Sequence, residues 1–164
     1  MLGLMQEQQL LISMLLKHAE RHHADTEIVS RRVEGDIHRY GYVDLARRSR
    51  QLANALDRAG LAESDRVASI AWNGYRHMEM YFGVSASGRV LHTLNIRLFP
   101  EQVTYIVNHA EDEVIFVDRS LLGLLAPLLQ TFERVKHLVL MDDGKGDIPD
   151  AAASPHRNTT MPLQ

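Results

Sequence analysis

Four short apolar runs recur along the chain, and segments with a helical pattern separate them. The runs are centred near Val67, Val90, Val114 and Leu138, at intervals of 23 or 24 residues. Apolar runs that alternate with helical patterns in this way are typical of βαβ units. Because crossovers between parallel strands are nearly always right-handed, the pattern predicts an α/β fold with a parallel sheet flanked by helices.

The predicted strands cover residues 66–72, 89–94, 113–118 and 136–141. The third strand is apolar at four consecutive positions, which predicts a central strand covered on both faces. Asn73 can cap the helix that follows the first strand, and Gly88 can end that helix. Pro100 suits the first position of the next helix. Ser120 can cap a leucine-rich segment, which Pro127 should kink or divide.

An N-terminal helix and a β-hairpin are predicted before the sheet. Residues 6–22 carry an apolar stripe at helical spacing, which predicts the first helix. Residues 26–32 and 36–40 are predicted strands, joined by a turn at a Glu-Gly pair. The clearest helical pattern covers residues 43–59, and Gly60 can take the left-handed conformation that ends this helix.

The composition is that of one globular domain. The chain has 164 residues, a net charge of −3 and no cysteine, so neither nucleic-acid binding nor disulfides are expected. No apolar run approaches the roughly 20 residues of a transmembrane helix, and no secretory signal is evident, so we expect a soluble cytoplasmic protein. Residues 142–164 contain three of the five prolines and few apolar residues. This predicts a disordered or divergent tail after an α/β subdomain of residues 1–141.

Several short motifs suggest chemistry but lack a required group. The Gly-Lys pair at 144–145 lacks the glycine and the hydroxyl of a phosphate loop. Residues 83–87 lack the second glycine of a nucleophile elbow, and a small-residue helix face packed on the sheet is the favoured interpretation. His18 and His22 have a metal-ligand spacing but no evident third ligand. Residues 77–79 match the H-x-E of zinc deaminases, but that site also needs a cysteine pair.

Asp118 is the best candidate for contact with a small molecule. It ends the third predicted strand, and open α/β sheets bind ligands at the carboxyl ends of their strands. The same residue, followed by Ser120, also suits a helix-capping turn, and capping is the favoured interpretation. His92 and His109 lie near the ends of predicted elements and are not predicted to be catalytic.

Five segments, in order, resemble one enzyme family. They are YGYVDL at 40–45, SDRVA at 64–68, AWNGYRH at 71–77, LHTLNIRL at 91–98 and PEQ at 100–102. Together they resemble the AMP-forming fatty acyl-CoA synthetases, in the medium- and long-chain branch of the adenylate-forming ligase superfamily, over residues 3–141. The chain departs from the family pattern at Gly41, Ser64, Arg89 and Ile96. If the strand at Arg89 is buried, its guanidinium needs a partner or an exposed strand end.

The resemblance implies a ligase that uses ATP to convert a fatty acid into an acyl adenylate and then transfers the acyl group to coenzyme A. Full-length members of the family use ATP, Mg²⁺ and coenzyme A, and their catalytic motifs follow the segment that this chain resembles. No position here matches those motifs, and the chain has no S-G-T-T-G-x-P-K-G loop. We therefore assign no catalytic, cofactor-binding or metal-binding residue, and we expect no acyl-adenylate activity from the chain alone.

Three functional interpretations remain. The favoured one is an N-terminal piece of a fatty acyl-CoA ligase, truncated or split; the ending AAASPHRNTTMPLQ does not resemble the family, which suggests a frameshift or a premature stop. The second is a non-catalytic interaction module that pairs with the remainder of the enzyme or forms a homodimer. The third is a stand-alone α/β domain that binds a small molecule near Trp72, Leu94 and Asp118. A large exposed apolar surface would favour the first interpretation over the third.

Overall fold

The computed structural model describes residues 7–142, and its elements follow the predicted order. The helices are α1 (Ile12–His22), α2 (Tyr42–Arg58), α3 (Tyr75–Ser85), α4 (Pro100–Ala110) and α5 (Leu122–Leu125). The strands are β1 (Glu27–Arg31), β2 (Ile37–Gly41), β3 (Arg66–Ile70), β4 (Val90–Thr93), β5 (Val114–Asp118) and β6 (His137–Met141). Within this range the last four strands form a parallel sheet in the order β4-β3-β5-β6, and β1 and β2 form an antiparallel hairpin. The predicted α/β fold is confirmed.

β5 is the central strand, and every one of its residues is buried. Successive side chains of a strand point to opposite faces of the sheet. Val114 and Phe116 therefore pack with α2 and α3 on one face. Ile115 and Val117 pack with α4 and the leucine-rich segment on the other face. The prediction of a central strand covered on both faces is confirmed.

The hairpin and α1 are held by the helices rather than by the parallel sheet. Leu16 of α1 is buried together with Leu45 and Ala46 of α2. Ile28 of β1 and Tyr40 of β2 pack against this cluster. The hairpin thus lies over α2 and α3, and the parallel sheet keeps its own core.

α2 and α3 pack closely because Gly83 has no side chain. A Cβ at this position would lie 2.9 Å from the Ser49 carbonyl oxygen and 2.9 Å from Leu52 Cδ2. The small-residue face predicted for residues 83–87 therefore exists, but Gly83 packs on α2 rather than on the sheet. The larger residues Met80 and Val84 of α3 make the contacts with the sheet instead.

The prediction placed the start of the first helix at residue 6, but the helix begins at Ile12. Leu10, which precedes it, is 85% exposed, so no packing offsets the entropy lost on ordering this stretch as helix. Packing begins at Leu16, the buried residue of α1. The predicted tail, apart from Asp142, lies outside the described residues. None of the helices between residues 7 and 142 combines the length and the hydropathy needed to cross a bilayer.

Two of the predicted helix caps are wrong. Gly74, and not Asn73, is the N-cap residue of α3, and Ser30 Oγ of β1 accepts the Tyr75 amide at 3.0 Å. Ser120 lies inside the 3₁₀ turn Arg119–Leu121 rather than in front of it. The predicted break in the leucine-rich segment is confirmed, since a second 3₁₀ helix, Ala126–Thr131, begins just before Pro127.

The left-handed backbone positions agree with the sequence pattern. Gly60 and Gly88 have φ values of +80° and +83°, as expected for residues that end α2 and α3. Ser64, where the family pattern has glycine, also has a positive φ, of +70°. A residue with a Cβ in this conformation is less favourable than glycine by about 1 kcal/mol.

Arg89 is buried, and polar groups surround its guanidinium. Its Nη2 donates to Asp57 Oδ1 at 2.7 Å and to the Leu61 carbonyl at 2.5 Å, and its Nη1 donates to Ser87 Oγ at 3.1 Å. Its Nη1 and Nη2 therefore have polar partners, whereas its buried Nε has none among residues 7–142. These contacts join the end of α2 to the start of β4.

Replacement of Arg89 by alanine should lower the free energy of unfolding by about 2 kcal/mol, because the Leu61 carbonyl loses its charged donor and a buried volume is emptied. Asp57→Asn should lower it by about 1 kcal/mol or less, since the Asp57 side chain is 63% exposed and its ion pair is screened by water. Urea denaturation at pH 7 measures both variants. Equal losses for the two would contradict a role centred on the buried guanidinium.

Candidate functional site

Open α/β sheets bind ligands at the carboxyl ends of their strands, so this edge of the sheet is a candidate site. β4 lies on one side of β3, and β5 lies on the other side. The order in which strands are added to the sheet therefore reverses, and the switch point lies between β3 and β5. Open α/β sheets bind ligands in the crevice at such a point. Here the Trp72 amide donates to Asp118 Oδ2 at 2.7 Å, and Trp72 Nε1 donates to Ser120 Oγ at 3.1 Å. The two strand ends are therefore bridged by protein groups.

Asp118 is brought to this edge as predicted. It is the N-cap residue of the following 3₁₀ turn, but its side chain makes no capping hydrogen bond there. The carboxylate is buried and accepts the Trp72 amide from the neighbouring strand end. Leu94, the third residue expected near this crevice, is buried in the core with Val103 and Val107 of α4. Only Trp72 and Asp118 of the predicted trio are therefore in contact at this edge.

Ser69 and His77 form a buried polar pair between β3 and α3. Ser69 Oγ lies 3.1 Å from His77 Nε2. Burial lowers the pKa of His77, so the imidazole is neutral near pH 7. Its Nδ1 is buried and has no hydrogen-bond partner among residues 7–142. A nucleophile–base pair needs an accessible hydroxyl and a group that orients the base, and Ser69 is 1% exposed. The pair therefore has a structural geometry rather than a catalytic one.

The two polar residues of the H-x-E motif have different partners. Glu79 is buried and accepts a hydrogen bond from Arg48 Nε at 2.6 Å. Burial raises the pKa of Glu79, although the guanidinium of Arg48 acts in the opposite direction. His77 instead contacts Ser69 of β3, whereas Arg48 belongs to α2. The motif does not converge on one point.

His92 of β4 pairs with a buried carboxylate. Its Nδ1 lies 2.8 Å and 3.0 Å from the two carboxylate oxygens of Asp112, which is fully buried. The hydrogen bond from the imidazole to Asp112 raises the pKa of His92. Asp112 lies directly before β5, so this pair joins the edge strand to the turn after α4.

The remaining sequence candidates do not come together in a site. The rings of His18 and His22 lie 4.7 Å apart on α1. No group of three or more His, Cys, Asp or Glu residues that could hold a metal ion occurs between residues 7 and 142. His109 stacks on Tyr105 of the same helix. The Gly-Lys pair at 144–145 lies outside the described residues.

A groove of about 380 Å³ lies between β1 and α3, and no sequence pattern predicted it. Its lining comes from one strand, one loop and one helix: Ile28, Val29, Ser30, Arg31, Asn73, Gly74, Tyr75, His77, Met78 and Tyr81. Val29 and Tyr81 are about half exposed, so the groove has apolar walls that are open to solvent. The only signal in the sequence was the alternation of β1, which places Val29 on its exposed face.

Comparison with known proteins gives consistent matches. The family described as AMP-binding enzyme matches residues 15–162, a range that includes most of the predicted tail. The medium-chain-fatty-acid–CoA ligase of Ectopseudomonas oleovorans is 46% identical over 141 residues, which cover 86% of this chain and 26% of the relative. The 3-methylmercaptopropionyl-CoA ligase of Ruegeria lacuscaerulensis is 47% identical with the same coverage. The chain spans about a quarter of the length of these relatives.

Solved structures agree on the fold. Coronafacic acid ligase from Pectobacterium brasiliense matches with a TM-score of 0.75 and 12% identity, over 92% of this chain and 28% of that chain. The A-PCP didomain of carboxylic acid reductase from Segniliparus rugosus, solved in complex with AMP, matches with a TM-score of 0.70 and 13% identity, over 83% of this chain and 22% of that chain. At these identities the likeness shows the fold alone.

The lowered pKa of His77 makes a pH-dependent contribution to stability. Below the ordinary pKa of about 6.5, the unfolded chain binds a proton at this residue that the folded chain resists, so the contribution falls as the pH decreases. Compared with His77→Gln, the wild type should therefore lose more stability between pH 7 and pH 5. Urea denaturation across this range measures the difference, and His92 is present in both proteins. Parallel pH profiles would count against a buried neutral imidazole.

The raised pKa of His92 makes a contribution to stability whose pH dependence is opposite to that of His77. The stability from the His92–Asp112 pair is fully present below the unfolded pKa of about 6.5 and is lost as the pH rises through the higher folded value. The stability of the wild type minus that of His92→Gln should thus be larger at pH 6 than at pH 8.5. Thermal or urea denaturation measures it at both pH values. A difference that grows with pH would show that the pair is not charged in the folded protein.

Proposed function

The chain belongs to the AMP-binding enzyme family, and from this premise we propose that it forms the N-terminal α/β scaffold of an ATP-dependent fatty acyl-CoA ligase and makes no acyl adenylate by itself. The observation that carries the proposal is the identity of 46% to 47% with two relatives named as acyl-CoA ligases. A long-chain-fatty-acid–CoA ligase from Thermus thermophilus, at 39% identity over 85% of this chain, supports the same substrate class.

The proposed reaction has two steps. A carboxylate oxygen of the fatty acid attacks the α-phosphorus of ATP, and pyrophosphate leaves with the pair of electrons of the broken P–O bond. The sulfur of coenzyme A then attacks the acyl carbonyl, gives up its proton, and AMP leaves. Both steps build negative charge on oxygen atoms, which needs preorganised donors or cations at those atoms.

The described residues do not fit a Mg²⁺ site for this reaction. A magnesium site needs carboxylate oxygens that are available to the ion. The buried carboxylates here are already engaged: Glu79 by Arg48, Asp112 by His92, and Asp118 by the Trp72 amide. We therefore propose that the groups that handle ATP and Mg²⁺ belong to the remainder of the enzyme.

Several large apolar side chains of the described residues are exposed to solvent. They lie before α1, on α1, in the loop before α4 and on α4: Leu10, Leu15, Phe99 and Tyr105. Each of them is more than 60% exposed. Apolar side chains scattered singly over a surface are ordinary in autonomous domains, whereas a contiguous apolar patch marks an interface. The proposal therefore rests on the sequence relatives and not on these four side chains.

A non-catalytic interaction module is the second candidate function. The groove between β1 and α3 favours it, because this groove has apolar walls and a strand edge that pairs with no strand among residues 7–142. Such a module differs from the first proposal in one respect: it needs no active ligase to serve its role.

The decisive experiment is ATP–pyrophosphate exchange with octanoate and palmitate. We expect no exchange from the 164-residue chain. We expect exchange from a chimera in which the chain replaces the matching segment of the Ectopseudomonas oleovorans ligase, because the scaffold should then meet the catalytic groups. The unmodified ligase is the positive control. Exchange by the chain alone would refute the inactivity, and a cooperatively folded but inactive chimera would contradict the ligase role.

A further inference from the structure

The side chain of Asn73 has no role in holding the fold together. The sequence predicted Asn73 as the cap of α3, but Gly74 is the N-cap residue. The Asn73 side chain is exposed, and it takes part in no hydrogen bond between residues 7 and 142. Asparagine is one of the thermolabile residues of proteins, because its side-chain amide can be lost as ammonia. The amide of Asn73 is therefore available for reaction.

Gly74 supplies a nitrogen that can react with this amide. The Gly74 amide donates to no group among the described residues, while the Gly74 carbonyl accepts the Met78 amide at 3.0 Å. Glycine has no Cβ, so no side chain of its own shields the nitrogen from the preceding residue. Residues 73 and 74 lie between the end of β3 and the start of α3, where no strand pairing holds the nitrogen. The nitrogen can thus turn towards Asn73 Cγ without losing a hydrogen bond to the described chain.

The other asparagines of the chain lack this combination. None of them is followed by glycine: Asn54, Asn95, Asn108 and Asn158. Asn54 lies inside α2, whose backbone is held by the helix. The Asn95 side chain accepts a backbone amide of its own loop at 3.0 Å. The Asn108 side-chain amide is bonded at both polar atoms, to the Thr131 carbonyl and to the Glu133 amide. The asparagines of the described chain other than Asn73 therefore serve as internal controls.

We propose that the pair of Asn73 and Gly74 is a self-modification site at which the chain deamidates, with water as the only co-reactant. The Gly74 nitrogen loses its proton to a base and attacks Asn73 Cγ. The new C–N bond closes a cyclic imide, and the broken Cγ–Nδ2 bond releases the amide nitrogen, which takes up a proton and leaves as ammonia.

Water then opens the imide at one of two bonds. Cleavage between the Gly74 nitrogen and Asn73 Cγ gives aspartate, and the main chain is unchanged. Cleavage between the Gly74 nitrogen and the main-chain carbonyl carbon of residue 73 gives isoaspartate, in which the chain runs through the former side chain. In both cases a water molecule enters, ammonia leaves, and no group is oxidised or reduced.

The surroundings of the pair give isoaspartate a structural effect. The Trp72 amide donates to Asp118 Oδ2 at 2.7 Å on one side of the pair, and the Tyr75 amide donates to Ser30 Oγ at 3.0 Å on the other side. Isoaspartate adds a methylene to the main chain between these two hydrogen bonds, which lengthens it by about 1.5 Å. The added length lies after Trp72 and directly before α3. We therefore expect isoaspartate to weaken the bond between Tyr75 and Ser30, which joins α3 to the hairpin.

The first test is mass spectrometry of the 164-residue chain after incubation at pH 6 and at pH 8.5. Asn73 should convert to both isoaspartate and aspartate, faster at pH 8.5 because the nitrogen attacks as its anion, while Asn54 and Asn108 stay unchanged. Gly74→Ala should slow the conversion by at least about 10-fold, since the added methyl group shields the nitrogen. This variant fits the fold, because a Cβ at Gly74 would meet only Ser30 Oγ, at 3.5 Å.

The same measurement on the chain unfolded in urea shows whether the fold leaves the site open. A folded chain that converts within about 10-fold of the unfolded rate supports the site. Conversion in urea alone would show that the fold protects Asn73, and would overturn the inference. Equal rates for the wild type and Gly74→Ala, or aspartate without isoaspartate, would contradict attack by the Gly74 nitrogen. None of these results depends on ligase activity, so the proposed function stands or falls separately.

The second test is amide hydrogen exchange in the isoaspartate form, separated by chromatography, and in Asn73→Asp, which carries the same charge on an unaltered main chain. The Tyr75 amide should exchange at least about 10-fold faster in the isoaspartate form than in Asn73→Asp. The Phe116 amide, in the middle of β5, should exchange at the same rate in both. Equal protection of the Tyr75 amide in the two proteins would overturn the expected weakening of its bond to Ser30.

Discussion

The burial of both faces of β5 is the constraint on which the rest of the structure depends. A parallel strand with no exposed residue can exist only if helices cover both sides of the sheet. α2 and α3 supply one layer, and α4 with the leucine-rich segment supplies the other. The hairpin and α1 are added to the outer side of the first layer. Their position, and that of the groove, therefore follows from the layer that β5 requires.

The buried polar groups of the described chain serve this architecture. Arg89 joins α2 to β4, His92 and Asp112 join β4 to the turn before β5, and Arg48 joins α2 to Glu79 of α3. Each of these contacts bridges elements that are distant in sequence. Charged groups that are already paired in this way have little freedom to act on a substrate.

Features that depend on local sequence could be predicted. The strand periodicity, the ends of α2 and α3 at glycines, and the division of the leucine-rich segment at Pro127 all follow from the conformational preferences of nearby residues. Contacts across the fold could not. Ser30 replaces Asn73 as the acceptor at the start of α3, and Trp72 occupies the carboxylate of Asp118 that was expected to cap a turn. Both pairs are more than 40 residues apart, so no local pattern contains them.

The sequence resemblance supplied what periodicity alone could not, namely a family and a reaction. The resemblance supplied no site, because the residues that carry it form the strands of the sheet and the helices packed on them. The groove could not be predicted either, since its walls come from β1 and α3, which only the folded chain brings together.

Gly83 makes the outer layer of the molecule sensitive to a single atom. The α3 backbone lies so near to α2 that one added methyl group would meet the Ser49 carbonyl at 2.9 Å, and carbonyl oxygens of a packed helix do not yield. The strain would have to move α3 outward as a unit. Since Tyr75 at its first turn is bonded to Ser30, the displacement would reach the hairpin. The spacing between α2 and α3 thus sets the width of the groove between α3 and β1.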